Sequence, residues 1–133
     1  GYAAMKREKF NVIFPTGLKP FPLHYEITAA ELLAIFFQSD VEFLPRSNQK
    51  TADVRILGKD WEFKSPTGSG KRNIQHQLQA GMKQSKNIVF DARRSKIHIA
   101  KIRRALIHQF SRTKSIKRIV LIDKMGNVVE LTK

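Results

Sequence analysis

Residues 52–75 read ADVRILGKDWEFKSPTGSGKRNIQ, and the fold turns on how the first thirteen of them pair. ADVRIL (52–57) and DWEFK (60–64) flank Gly58-Lys59, a Gly-X pair suited to a two-residue hairpin turn. Setting Leu57 opposite Asp60 brings Arg55 opposite Glu62 and Asp53 opposite Lys64. Side chains alternate across a strand, so Val54, Ile56, Trp61 and Phe63 share an apolar face. Asp53, Arg55, Glu62 and Lys64 share the other.

Further elements follow on both sides. Residues 1–26 hold Pro15, Gly17, Pro20 and Pro22 and read as an irregular arm. Thr28 with Glu31 forms a capping box ahead of AAELLAIFF, a helix apolar nearly all round and therefore buried. VEFLP (41–45) reads as a short strand stopped by Pro45, and SNQK (47–50) as a loop. Ile74, Leu78 and Met82 mark a helical stripe weakened by Gly81, and NIVFDARR (87–94) is a strand. Ile99, Ile102, Leu106 and Phe110 fit one face of a third helix, with Lys101, Arg103, Arg104 and His108 mostly outside it. KRIVLIDK, the turn Met125-Gly126-Asn127 and VVELTK form a second hairpin. These elements predict an α+β domain over 27–133: an N-terminal helix on a twisted, mostly antiparallel sheet, with two further helices.

The polar face of the first hairpin supports three chemistries. Cross-strand ion pairing alone accounts for two acids opposite two bases, at about 0.2–1 kcal/mol per pair. Alternatively, Asp53 followed by Glu62-x-Lys64 matches the D…ExK pattern of metal-dependent nucleases, with Ala52 where a proline usually stands. There two carboxylates hold Mg²⁺ and the lysine orients the attacking water. The third is metal-free RNA cleavage by the ribose 2′-OH. Glu62 or a histidine serves as base, Lys64 stabilises phosphorane charge, and Thr67, Ser69 and Lys71 donate to phosphate.

The loop SPTGSGKR fails the nucleotide-binding P-loop pattern, because its first glycine is missing and Arg72 replaces Ser/Thr. Backbone N–H groups at its helix junction, with Lys71 and Arg72, still suit an anion. Among the four histidines, His76 is the best catalytic candidate, turned away from the apolar stripe. His24, His98 and His108 are scattered, and no pair has zinc spacing.

Charge points to the ligand. The chain carries 25 Lys and Arg against 11 acids, a net of +14. Residues 1–50 are nearly neutral, so the excess lies in 51–133, the profile of a nucleic-acid-binding surface. Arg93-Arg94-Lys96, Lys101-Arg103-Arg104 and Arg112-Lys114-Lys117-Arg118 are candidate phosphate contacts. With no cysteine, disulfides and Cys-ligated zinc are excluded. The longest apolar run, LLAIFF at 32–37, is too short to cross a bilayer, and no signal peptide is visible.

ADVRILGKDWEFKSPTGSGKRNIQHQL and KQSKNIVFD together resemble the C-terminal toxin domains of CdiA contact-dependent growth-inhibition proteins. The resemblance covers roughly 27–133 and is most specific over 52–91. It implies a tRNase of the barnase/EndoU/colicin/RelE-like (BECR) kind, metal-independent and without cofactor, delivered from the cell surface into a neighbour's cytoplasm. It also implies a cognate immunity protein and, in some members, dependence on elongation factor Tu. Asp53, Glu62, Lys64 and the 65–71 loop sit where the family motif places its functional residues.

Overall fold

A computed structural model describes residues 9–46, 51–70 and 72–133. The predicted loop at 47–50 and the phosphate contact expected of Lys71 lie outside the described residues. The elements are β1 (Val12–Ile13), α1 (His24–Phe37), β2 (Val41–Phe43), β3 (Val54–Ile56), β4 (Lys59–Lys64) and α2 (Asn73–Gly81). They continue with β5 (Asn87–Asp91), α3 (Ile99–Arg112), β6 (Arg118–Ile122) and β7 (Val128–Leu131).

Among the described residues the strands form one sheet in sequence order, β1 to β7, and the α+β class read from the sequence holds. Antiparallel pairing joins β2–β3–β4 and β6–β7. Parallel pairing joins β1 to β2 and runs through β4–β5–β6. The inner parallel run follows from the helices α2 and α3, each carrying the chain from one strand's end back to the next strand's start.

Both crossover helices cover the same face. Leu78, Ile102, Leu106 and Phe110 pack there on Ile88, Phe90, Ile119 and Leu121. On the opposite face, Ala30 and Leu33 of α1 pack on Val54, Ile56, Trp61, Val89, Val120 and Ile122. Strands β5 and β6 are thus buried on both faces, which explains their near-continuous apolar sequence. The stripes on α2 and α3 are those expected from their spacing.

Three boundaries differ from the sequence reading. Helix α1 starts a turn before Thr28: Leu23 precedes its first residue and the Leu23 N–H donates to Glu26 Oε1 at 2.9 Å. Thr28 is instead bound inside the helix, its hydroxyl donating to the Tyr25 carbonyl at 3.1 Å. Nor is α1 buried all round, since Ile35 is 67% and Phe36 39% exposed. The stretch 9–26 contributes β1 and the first turn of α1, and Phe10, Val12 and Leu18 pack against the α1-side core. Strand β5 ends at Asp91, three residues earlier than its apolar and basic run suggested. There the Asp91 carboxylate accepts the Arg93 N–H at 3.0 Å and turns the chain.

Candidate active site

The hairpin that carries the polar face closes on Leu57-Gly58, one residue earlier than expected. Both residues take left-handed backbone angles, φ 49° and 78°. That is the two-residue turn whose twist suits a hairpin. Ile56 therefore pairs with Lys59, Arg55 with Asp60 and Val54 with Trp61. Relative to the sequence reading the register moves by two residues, so each side chain keeps its face but changes its neighbour. The expected Asp53–Lys64 and Arg55–Glu62 ion pairs do not form. Arg55 binds Asp60 instead, at 2.7 Å.

One step beyond the last paired residues come Asp53 and Glu62, two acids brought together with no arginine between them. The ladder is irregular here. The Asp53 N–H donates to the Trp61 carbonyl at 3.0 Å, and Asp53 Oδ2 accepts the Phe63 N–H at 2.7 Å. Glu62 lies in the sheet beside Ile88 of β5, its side chain 8% exposed. Burial, then the hydrogen bond and charge of Asp53, push its carboxyl up to about 9. Lys64 Nζ, 3.6 Å from Glu62 Oε2, pulls the other way. At neutral pH, with no cation bound, Glu62 accordingly holds a proton.

Two supports extend this cluster. The Lys64 stem lies under Gly81 of α2, where an added Cβ would stand 3.4 Å from Lys64 Cε and 3.3 Å from Ile88 Cδ1. Arg46 stands 3.9 Å from Asp53 Oδ1 and 3.4 Å from both Glu26 oxygens, joining α1 to the cluster. Neither Arg46 nor Glu26 is marked by any motif, and only their tertiary positions reveal them.

The donor set fits a hard divalent cation. Two carboxylates share a place where one positive charge is short, and a proton on Glu62 supplies it. A cation with oxygen ligands can replace that proton. Among the described residues no three acidic or histidine side chains converge, so water or substrate would complete the coordination.

The other expected site residues lie elsewhere. Thr67 and Ser69 are exposed on the loop after β4, and no hydrogen bond joins them to Asp53, Glu62 or Lys64 among the described residues. His76 is exposed on α2, and Arg72 is exposed just before it. Lys96 and Arg103 are exposed and remain available to a ligand. Arg94 is exposed but stacked on Tyr25, 3.8 Å from the ring centroid, and donates to the Ser65 carbonyl. Arg93 is occupied by the protein itself. It binds Asp91 at 2.7 Å, Thr28 Oγ1 at 2.8 Å and the Tyr25 carbonyl at 2.9 Å, and so clamps α1 to the end of β5. Asp91, 2% exposed, was invisible in the sequence because it closes an apolar strand.

The family described as the contact-dependent growth inhibition CdiA C-terminal domain matches residues 50–128, more than half of the chain. No curated protein is similar enough to match. Among solved structures, the chain is similar to one described as the CdiA-CT/CdiI toxin and immunity complex from Burkholderia pseudomallei. The two are 21% identical with a TM-score of 0.62, over 94% of this chain and all of that one, a likeness of fold.

Proposed function

Because the chain belongs to the CdiA C-terminal domain family of contact-dependent growth inhibition, we propose that it is a toxin that hydrolyses phosphodiester bonds in RNA. In this reading the substrate is tRNA, and Asp53 and Glu62 work with Mg²⁺. The observation that carries it is the hairpin register. It sets two carboxylates side by side, with a lysine against one of them, on a chain of net charge +14.

Asp53 is held in place by the Phe63 N–H and by Arg46. Asp53 and Glu62 would hold the cation, with the Glu62 proton given up to solvent. Bound there, the cation supplies Lewis acidity at the phosphate and a lowered pKa for an attacking water. Lys64 adds a fixed positive charge for the phosphorane and a donor to position that water. The basic helix α3 and the loop ahead of α2 supply phosphate contacts that do not depend on base sequence. Delivery into a neighbouring cell and acting in its cytoplasm are part of the same reading. So is neutralisation by a cognate immunity protein, since the similar Burkholderia pseudomallei structure is a complex of a toxin with one. An acidic partner would suit the charge.

Incubating the chain with tRNA, with Mg²⁺ or with EDTA, tests the mechanism. Cleavage that requires Mg²⁺ is expected. Undiminished cleavage in EDTA would replace this mechanism with attack by the ribose 2′-OH using the same three residues. No cleavage in either tube, with or without elongation factor Tu, would reduce the chain to an RNA-binding module.

A further inference from the structure

We infer that the cleft between the loop ahead of α2 and the flank of α3 receives one unstacked nucleotide of the RNA, at the opposite end of α2 from the cutting residues. The inference rests on RNA being the ligand of the proposed function. The cleft has a volume of about 130 Å³ and shares no residue with Asp53, Glu62 or Lys64. The two places lie at opposite ends of α2: Gly81 near its end lies on Lys64, while Ile74 and Gln75 at its start line the cleft.

Its lining is sorted by chemistry. Ile74, Ile97 and Ala105 make an apolar floor. Gln75 and Gln109, both half-buried, put side-chain amides at the edge. Arg72, Lys101 and His108 bring basic side chains to the mouth, and among the described residues no acid lines the cleft. An apolar floor rimmed by amides matches a nucleobase, whose faces are apolar and whose edge carries paired donors and acceptors.

Helix α3 supplies the backbone track beside it. Lys101, Arg104, His108 and Arg112 follow one another at steps of three or four residues, so they line one side of the helix. The stripe spans about 16 Å at 1.5 Å per residue. No acidic residue occurs anywhere in α3. A phosphate run along the stripe with one base turned into the recess is the arrangement used for single-stranded RNA. An acidic protein segment would use the same cations but would leave the amides and the floor without purpose.

The test measures binding of the full chain to tRNA in EDTA, with cleavage in Mg²⁺ scored separately. Gln109→Ala, and Ala105→Trp, which fills the recess, should each raise the RNA dissociation constant about tenfold. Lys101→Glu, at an exposed position, should weaken binding and flatten its salt dependence by about one to two counterions. Melting temperatures identify any variant that has unfolded, and Gln109→Ala then decides alone. If Lys101→Glu weakens binding while folded Gln109→Ala and Ala105→Trp bind as wild type, the cleft holds no base and the inference falls. If all three bind RNA normally but lose an acidic protein partner, it falls in favour of that partner. A chain that cuts RNA with the recess variants unaffected keeps the nuclease function and loses the cleft. Binding through the cleft without any cleavage keeps the cleft and loses the nuclease.

Discussion

Replacing Glu62 by glutamine should stabilise the protein while abolishing its activity. In the folded chain the Glu62 carboxyl titrates at about 9, against an ordinary value of 4.5. A raised carboxyl pKa means that the folded state binds the proton more tightly than the unfolded state does. Below pH 4.5 both states are protonated and nothing is lost. As pH rises from 4.5 towards 9, the unfolded chain releases the proton and the folded chain does not, so stability falls throughout that window. Each pH unit costs about 1.4 kcal/mol, so at pH 7 this carboxyl costs up to about 3 kcal/mol. Glutamine fills nearly the same volume, carries no titrating proton, and can still donate from its amide to Asp53.

Glu62→Gln should therefore raise the melting temperature at pH 7 in EDTA, by up to about 10 °C for a domain of this size. The gain should shrink towards zero at pH 4.5 and grow up to pH 9. Denaturant unfolding of both proteins across that range reads it directly. Adding Mg²⁺ should stabilise the wild type and leave the glutamine variant unchanged, because only the wild type can exchange its proton for the cation. An equal pH dependence in the two proteins, or a less stable glutamine variant at pH 7, would refute the paired-carboxyl account.

Three other substitutions probe the frame around the site. Arg93→Ala should destabilise by about 3–5 kcal/mol, because it strands Asp91 as a buried, uncompensated charge; urea unfolding measures it. Leu57→Asn should stabilise by about 1 kcal/mol, since Leu57 is exposed with φ 49° in a turn that favours Asn-Gly; a raised urea midpoint is the readout. Gly81→Ala should leave the melting temperature within a few degrees, as about 1 kcal/mol of helix preference offsets the tight contact on Ile88. The same methyl only touches the Lys64 stem, 3.4 Å away, so the cleavage rate on tRNA with saturating Mg²⁺ should stay within about twofold of wild type.

Alternation and helical spacing made most of this fold legible. The core faces of α2 and α3 and the two-hairpin outline follow from single residues at period two or three to four. What periodicity could not supply was position along the chain. The start of α1 rests on Glu26 reaching the Leu23 N–H, a cap with no polar residue at its usual place. Strand β5 ends where a buried aspartate folds an arginine back, and a run of arginines in sequence reads as surface, not as a clamp.

The first hairpin carries the lesson furthest, because its chemistry depends on register and its faces do not. Setting the turn at Gly58-Lys59 or at Leu57-Gly58 leaves the same residues on the polar side. The first choice sets Asp53 and Glu62 each opposite a base, the arrangement of simple cross-strand ion pairs. The second gives Arg55 to Asp60 and sets Asp53 and Glu62 against each other, with Lys64 beside Glu62 and Arg46 beside Asp53. Sequence favoured the first choice because Gly-X is a familiar turn and leucine is disfavoured at positive φ. The chain adopts the second, with the exposed Leu57 held left-handed at some cost. That cost suits the proposed site, where geometry would matter more than stability, and it makes Leu57 and Glu62 a matched pair of tests. Relieving the turn strain with Leu57→Asn should stabilise without disturbing the carboxylates, whereas Glu62→Gln should stabilise by dissolving the site itself. Cleavage retained in the first variant and lost in the second would tie the activity to the paired acids and separate it from the turn that brings them together.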